Sequence, residues 1–166
     1  MKHKIKYTCA CKKVPFFWCL NEVHDFVEIK ESNLPDAGVG LFAKKDIPGN
    51  IALTWYKGNI INHEAFNKSY AWNFISDLDD TPKKLEALLD YVGNPLAYVN
   101  TFANDDQKKL LNTKKIVNNE RVYYVTIKKI KAGEEIIVDY ESDAYRRKLN
   151  NRLKYNERIK ANRIKK

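Results

Sequence analysis

Apolar and polar residues alternate in several short stretches, and this pattern predicts a chain built mainly from β-strands. Phe26–Lys30 alternates apolar and charged residues, as a half-buried strand does, and Ile51–Tyr56 is an apolar strand. Lys115–Val117 and Val122–Ile127 flank the turn residues Asn118-Asn119, so these two stretches predict a β-hairpin.

Two more strands are predicted at positions where aromatic residues cluster. A β-branched run at 136–138 follows a turn at Gly133 and ends at Tyr140, which predicts a strand over 136–140. Upstream, aromatic residues at every second position predict one face of a strand, and these residues are Tyr70, Trp72 and Phe74.

An acidic turn follows the aromatic strand and consists of Asp77, Asp79 and Asp80. Two interpretations of this turn stay open. It can attract a basic peptide, or it can be a solvated loop without a partner.

The strongest helical pattern begins at Thr81, a suitable N-cap, with Pro82 at the first helical position. Apolar residues with helical spacing follow, namely Leu85, Leu88, Leu89 and Val92. Gly93 can end the helix. The pattern predicts a helix over 81–93 whose apolar stripe packs in the core and does not bind a cofactor.

A second helix is predicted from Tyr145 onward, and it is very basic. Its apolar stripe is thin and consists of Leu149, Leu153 and Ile159. Lysine and arginine dominate the remaining positions, and Glu157 is the single acid among them. The segment is either a nuclear-localisation or nucleic-acid-binding tail, or a solvated helix.

Composition indicates a folded globular chain of one domain, because 44% of the 166 residues are hydrophobic and 31% are charged. The net charge of +9 favours acidic or polyanionic partners. No apolar run reaches the roughly 18 residues that span a bilayer, and no apolar core follows the basic N-terminus. We therefore expect a soluble intracellular protein, with a nuclear location as one option.

The cysteines raise the question of a metal site in the N-terminal segment. The candidate ligands are Cys9, Cys11, Cys19 and His24. Their spacing matches no established zinc pattern, so reduced cysteines beside an aromatic cluster are the favoured interpretation and no metal is predicted. An odd number of cysteines also fits a reducing compartment.

Three short motifs carry the functional information. Residues 37–43 read AGVGLFA, residues 93–100 read GNPLAYVN, and residues 133–140 read GEEIIVDY. The two glycines of the first motif allow close backbone approach. No helix clearly follows them, so a dinucleotide-binding fold is not indicated.

In this order and at these distances, the three motifs resemble those of the SET-domain protein methyltransferases, and the resemblance covers about residues 27–142. It implies a mainly β fold with short helices (α+β): small sheets in a β-clip-like arrangement, with a knot-like crossing of the two C-terminal motifs. A basic C-terminal helix would be added to that fold. The implied division is an N-terminal segment at 1–25, a SET-like catalytic domain at 26–143 and a basic helical tail at 144–166.

The resemblance implies S-adenosylmethionine-dependent methylation of lysine side chains in proteins, with histone tails as the family's commonest target. The implied cofactor-binding residues are Ala37, Gly38, Val39, Gly40, Leu41, Tyr70, Asn100, Thr101 and Tyr140. Tyr140 is also the implied catalytic residue. Candidates for the wall of the substrate channel are Trp72, Tyr98, Phe102 and Val138.

The sequence departs from the family pattern around its second motif. Thr101 stands where the family has histidine, Phe102 replaces a serine, and Ala97 replaces an arginine. The family's following Pro-Asn pair is absent at its usual distance, and Asn112 could replace its asparagine if 104–111 is an insertion. No cysteine-rich segment follows Tyr140, so the helical tail would have to close the site.

Methyl transfer to lysine requires a neutral amine, although the pKa of free lysine is about 10.4. An apolar channel with aromatic walls favours the neutral form by desolvation. The hydroxyl of Tyr140 can orient the amine or the methyl group, but with an ordinary pKa of about 10 it is a poor base at neutral pH. We therefore expect positioning and electrostatic roles for it.

Two other functions remain as alternatives. A SET-like module without activity could bind a basic peptide or nucleic acid, as the departures at Ala97 and Thr101 would allow. A nucleic-acid-binding protein could instead act through its basic tail.

Overall fold

The computed structural model describes residues 18–20, 22–62, 70–90 and 92–164. Its strands are β1 (Trp18–Cys19), β2 (Val27–Glu31), β3 (Val39–Ala43), β4 (Ile51–Trp55), β5 (Gly58–Ile61), β6 (Ala71–Ile75), β7 (Pro82–Ala87), β8 (Thr113–Asn118) and β9 (Arg121–Thr126). The helical segments are 3₁₀ turns at Val23–Asp25 and Pro95–Tyr98, the one-turn α1 (Asp105–Lys108) and the long α2 (Asp143–Ile164). The predicted mainly β fold with short helices and a C-terminal helix is confirmed.

The strands form three small sheets, with the orders β1-β4-β9-β8, β2-β3 and β5-β7-β6. The predicted hairpin is β8-β9, in which Asn118 pairs with Arg121 and leaves Asn119 and Glu120 as the turn. Both turn residues have positive φ, 48° and 56°, as a two-residue turn of type I′ requires.

The predicted helix over 81–93 is wrong, because this stretch forms β7 in the middle of the β5-β7-β6 sheet. Leu85 of the expected apolar stripe is buried, at 4% exposure, but the other members are 50–75% exposed, namely Leu88, Leu89 and Val92. Pairing of the β7 backbone on both sides outweighs the local helix signals. Pro82 is tolerated because it is the first residue of the strand.

The strand predicted over 136–140 is also absent, since residues 135–138 make single bridges to different partners. On one side the Ile136 N–H donates to the Leu41 carbonyl at 2.8 Å, and on the other the Val138 N–H donates to the Asn100 carbonyl at 3.0 Å. The bridges are Phe42–Glu135, Asn100–Ile137 and Thr113–Val138. Because the bridging partner changes at almost every residue, no continuous ladder forms. The third motif, 133–140, therefore lies between the first motif, 37–43, and the second, 93–100.

One main hydrophobic core lies beneath all three sheets and fixes the third motif. Leu41 of β3, Ile136 and Val138 are fully buried in it, together with Tyr124 of β9. Tyr140, two residues after this buried run, is therefore held at the edge of the core.

Helix α2 lies against the loop that precedes β3, which explains how a helix with so thin an apolar stripe is positioned. Arg152 donates to the Asp36 carbonyl at 2.8 Å, and the Asn156 amide donates to the Asp36 carboxylate at 2.6 Å. Asp36 itself has a left-handed φ of 59°. The predicted basic helix is confirmed, and one of its faces contacts the domain.

The candidate zinc ligands Cys9 and Cys11 lie outside the described residues, and Cys19 is described only by its backbone in β1. Within the described ranges, no group of three histidine, cysteine or acidic side chains could hold a metal ion. His24 is hydrogen-bonded through Nε2 to the Val92 carbonyl at 3.0 Å. Among the helices in the described part of the chain, none has the length and apolar character needed to cross a bilayer.

Candidate active site

A cavity of about 310 Å³ opens beside Tyr140, and half of its lining residues are aromatic. We call it the aromatic cavity. Its lining residues are Tyr56, Tyr70, Ala71, Trp72, Asn73, Lys115, Tyr124, Tyr140, Glu141 and Ser142.

The aromatic wall is rigid because its rings contact one another edge to face and share hydrogen bonds. Trp72 on β6 donates from Nε1 to the Tyr124 hydroxyl at 2.9 Å, and its ring lies 5.6 Å from that of Tyr140 at 81°. Tyr56 stacks on Tyr124 with ring centroids 5.8 Å apart. Burial raises the pKa of both Tyr56 and Tyr124, so these hydroxyls stay neutral.

Tyr140 is held from both its ends. Its hydroxyl donates to the Val99 carbonyl at 2.7 Å, and its backbone N–H donates to the Thr101 hydroxyl at 3.2 Å. Thr101, which stands where the family has a histidine, is buried, at 5% exposure. Its hydroxyl orients the backbone of Tyr140 through this hydrogen bond. The departure at this position leaves a polar group that supports the expected catalytic residue.

A second cavity, of about 280 Å³, lies on the other side of Tyr140 beneath α2. We call it the helix-covered cavity. Its lining residues are Leu34, Pro35, Asp36, Ala37, Tyr70, Asn100, Thr101, Ala103, Gln107, Tyr140, Leu149, Arg152 and Leu153. Tyr70 and Tyr140 line both cavities, so these two rings separate one cavity from the other.

Asn100 ties the first and second motifs together below the helix-covered cavity. Its amide donates to the Val39 carbonyl at 3.0 Å, to the Glu135 carboxylate at 3.0 Å and to the Ser32 hydroxyl at 3.2 Å. The side chain of Asn100 is therefore a structural link between these segments. Its hydrogen bonds fix the position of the second motif at the wall of the helix-covered cavity.

Sequence reasoning missed Glu135, a charged residue that is only 7% exposed. It accepts hydrogen bonds from the Ser32 hydroxyl at 2.6 Å, the Asn33 N–H at 2.8 Å and the Asn100 amide. A Cβ on Gly40 would overlap this carboxylate, which explains the second glycine of the first motif. The sequence signal that could have identified it is a charged residue directly before a β-branched run that is expected to be buried. A carboxylate at such a position needs hydrogen-bond partners.

Asn112 holds the same segment from the opposite side. It is 3% exposed. Its side-chain carbonyl accepts from the Ile137 N–H at 2.8 Å, and its side-chain amide donates to the Glu135 backbone carbonyl at 2.7 Å.

The structure brings part of the predicted cofactor set to one place. Residues that line the helix-covered cavity are Ala37, Tyr70, Asn100, Thr101 and Tyr140. Residues of the set that do not line it are Gly38, Val39, Gly40 and Leu41. Leu41 is fully buried in the core, whereas Val39 is 48% exposed.

Of the residues predicted for the substrate channel, Trp72 lines the aromatic cavity, and Tyr98, Phe102 and Val138 do not. Val138 has no exposed surface, because it packs in the core. Phe102 contacts the Arg146 guanidinium of α2, 5.4 Å from its ring centroid, and Tyr98 packs against the core.

The acidic turn has a structural role in the protein. Asp77 accepts from the backbone N–H groups of Asn119 and Glu120, at 2.6 and 2.8 Å, and so supports the β8-β9 turn. Asp79 accepts from the backbone and hydroxyl of Thr81, and these bonds hold its pKa well below the ordinary value.

The sequence and the fold are both similar to those of known proteins. The family model for the PR domain of PR domain zinc finger protein 2 matches residues 27–152. The chain belongs to the PR/SET-domain family. The PR/SET domain described here is 28% identical over 123 residues to histone-lysine N-methyltransferase set-17 of Caenorhabditis elegans, which covers 69% of this chain and 40% of that protein. The predicted family is confirmed.

Solved structures share the fold of this PR/SET domain. The SET domain of the RIZ1 tumour suppressor (PRDM2) matches with a TM-score of 0.54 at 25% identity, over 71% of each chain. ATXR5 in complex with mono-methylated histone H3.1 matches with a TM-score of 0.54 at 21% identity, over 69% of this chain and 57% of that one, which shows the fold alone. The chain spans less than half the length of the curated relatives it matches.

Proposed function

We propose that this PR/SET domain is an S-adenosylmethionine-dependent protein-lysine N-methyltransferase. The observation that carries the proposal is the pair of cavities that meet at Tyr70 and Tyr140. Methyl transfer needs a donor and an acceptor that approach one point from separate sites. Both volumes are near the lower end of the roughly 300–1,000 Å³ typical of small-molecule sites.

The helix-covered cavity has the chemistry to hold the cofactor. Leu34 and Leu153 give it an apolar wall that suits a purine ring, and Asp36 and Arg152 give it both signs of charge. Such a pair suits the ammonium and carboxylate of the methionine portion. When bound, the cofactor supplies an electrophilic methyl group.

The protein's own residues then position the acceptor. The aromatic cavity excludes water from the lysine chain, and burial among rings favours a neutral amine. The Tyr140 hydroxyl, fixed by its bond to the Val99 carbonyl, stands between the two cavities and can accept a hydrogen bond from the amine. Alignment at this point is the main source of catalysis in the proposal.

Histone lysines are the substrate class that the relatives favour. The nematode relative is named a histone-lysine N-methyltransferase, and the ATXR5 structure contains histone H3.1. A histone substrate implies an intracellular protein that works on chromatin in the nucleus.

Helix α2 gives this proposal a second partner, nucleic acid, because its outer face carries exposed basic residues. These include Arg147, Lys154 and Arg158, which recur with helical spacing on the side away from the cavity. We expect binding to a DNA duplex whose logarithmic affinity falls linearly with the logarithm of salt concentration. Changing these three residues to glutamate should reduce the slope by roughly one per lost phosphate contact.

The matched control for this test changes three exposed lysines elsewhere, Lys44, Lys114 and Lys131, to glutamate. An equal loss of slope in the control would show that net charge matters and α2 does not.

An inactive binding module is the second candidate, and Ala97, at the position where the family has an arginine, is the observation that favours it. Ala97 is buried at 6% exposure, so no side chain there reaches either cavity. This candidate predicts that a basic peptide binds while S-adenosylmethionine does not.

Calorimetric titration with S-adenosylmethionine and with its demethylated product decides between the two candidates. We expect affinities in the micromolar range for both ligands. Leu153→Lys, which places a charge in the apolar wall beneath α2, should weaken both by at least about tenfold. Tyr155→Lys is the matched control, because Tyr155 lies on the same helix and is 64% exposed.

Failure of the folded wild-type protein to bind either ligand would exclude the methyltransferase and leave the binding module. Equal weakening by the control variant would remove the helix-covered cavity from the proposal.

A further inference from the structure

A lysine of the chain itself lies in the cavity that the proposed function assigns to the acceptor lysine. The Lys115 Nζ lies 4.5 Å from the centroid of the Trp72 ring and 2.5 Å from a carboxylate oxygen of Glu141. The Lys115 side chain is only 11% exposed. An ammonium, an aromatic face and a carboxylate therefore occupy the aromatic cavity together.

The position of Lys115 follows from the register of β8. The preceding Lys114 is exposed, so alternation along the strand turns Lys115 inward, beside its cross-strand partner Tyr124. The phase is fixed at the start of the strand, where the Thr113 hydroxyl donates to the Ile137 carbonyl at 2.8 Å. Lys115 is thus held in the cavity by the strand that carries it.

On the opposite side, the backbone of Glu141 is constrained. It has a left-handed φ of 53°, and its N–H donates to the Asp139 carboxylate at 2.7 Å. The Lys115 side chain is 11% exposed and that of Glu141 is 55% exposed, so solvent screens the carboxylate more than it screens the ammonium.

Lys115 and Glu141 are the charged residues among those lining the aromatic cavity. The other titratable groups there are tyrosines, and burial raises the pKa of Tyr56 and Tyr124. The nearby ion pair of Arg146 with Asp139 lines a different cavity, which Phe102 also lines. The charge that an incoming amine meets is set by Lys115 and is partly offset by Glu141.

We propose that Lys115 is a positioning residue that makes the aromatic cavity accept the substrate lysine as a neutral amine and reject it as an ammonium, with Glu141 limiting the strength of this effect. The inference rests on the proposed function and adds to it the charge state that the cavity selects. A fixed like charge within a few ångströms disfavours a second cation, as it does for activated lysines in general.

This selection matters because only the neutral amine carries the electron pair that forms the new bond. The amine nitrogen forms a bond to the methyl carbon as the carbon–sulfur bond breaks, and the sulfur keeps that bond's electron pair. The methylated ammonium product then loses its proton to water. A cavity that binds only the neutral amine requires the substrate ammonium to give its proton to solvent water before it enters.

The test measures kcat against pH with saturating S-adenosylmethionine and core histones, because kcat reports groups in the substrate complex. Lys115→Met removes the fixed cation and should move the midpoint of the profile up by about one pH unit. Glu141→Gln leaves the cation unopposed and should move it down, and Lys115→Arg should leave it in place. Lys114→Met is the matched control on the exposed side of β8.

A second measurement does not depend on methyl transfer. Binding of n-butylammonium to the aromatic cavity at pH 7, followed by calorimetry, should be at least about tenfold tighter in Lys115→Met than in the wild type. Binding of n-butanol, a neutral molecule of similar shape, should change little. The conservative Lys115→Arg variant should behave as the wild type does.

The outcomes separate this inference from the proposed function. Unchanged profile midpoints in both charge variants, with turnover retained, would overturn the role of Lys115 and leave the methyltransferase standing. Absence of cofactor binding and of turnover in the wild type would overturn the methyltransferase. In that case, n-butylammonium binding that is equal in Lys115→Met and wild type would overturn the charge selection as well.

Discussion

Tyr140→Phe is expected to lower kcat on the order of 100-fold while leaving the affinity for S-adenosylmethionine nearly unchanged. The substitution keeps the ring that packs on Trp72 and removes only the hydroxyl of this residue, which lines both cavities. Loss of the bond to the Val99 carbonyl should cost only about 1 kcal/mol of folding stability. Single-turnover kinetics with calorimetry on the same preparation separates turnover from binding.

Tyr155→Phe makes the same chemical change on an exposed ring of α2 and serves as the control. Turnover in Tyr140→Phe equal to that of the wild type would rule out the assigned role of the hydroxyl. A parallel loss of cofactor affinity would show instead that the hydroxyl binds the donor.

Asn112→Ala is expected to reduce the free energy of unfolding by about 2–4 kcal/mol. The substitution leaves the Ile137 N–H and the Glu135 carbonyl without their partner in a buried position. For a chain of this size the loss corresponds to a melting temperature lower by roughly 5–15 °C. Because the third motif is then held from one side only, cofactor affinity should fall as well.

Thermal unfolding followed by circular dichroism measures this loss, with the exposed Asn162→Ala of α2 as control. A melting temperature within about 1 °C of the wild type would show that water or a neighbouring group replaces the amide.

The parts of the fold that could be predicted are those whose signal is local. The β8-β9 hairpin is an example, because its turn residues and its flanking apolar runs are adjacent in sequence. The glycines of the motifs at 37–43 and 133–140 are also explained locally, because Gly38 and Gly133 have positive φ, whereas Gly40 is required by the distant Glu135 carboxylate.

The features that could not be predicted depend on contacts with residues far away in sequence. Residues 82–87 have good local helix signals, but strands on both sides fix them as β7. Lys114 and Lys115 are two lysines in succession, so the sequence does not indicate which of them points inward. That phase is set by the contact between Thr113 and Ile137, which are 24 positions apart.

Helix α2 has two opposite faces that belong to one rigid body. Its inner face covers a cavity through Leu149 and Leu153 and is fastened to Asp36, and its outer face is basic. A polyanion on the outer face and a ligand beneath the inner face would each favour the same docked position of the helix. By linkage, each would then raise the affinity for the other by an equal factor, so a polyanion on the outer face would tighten binding of a ligand in the cavity beneath the helix.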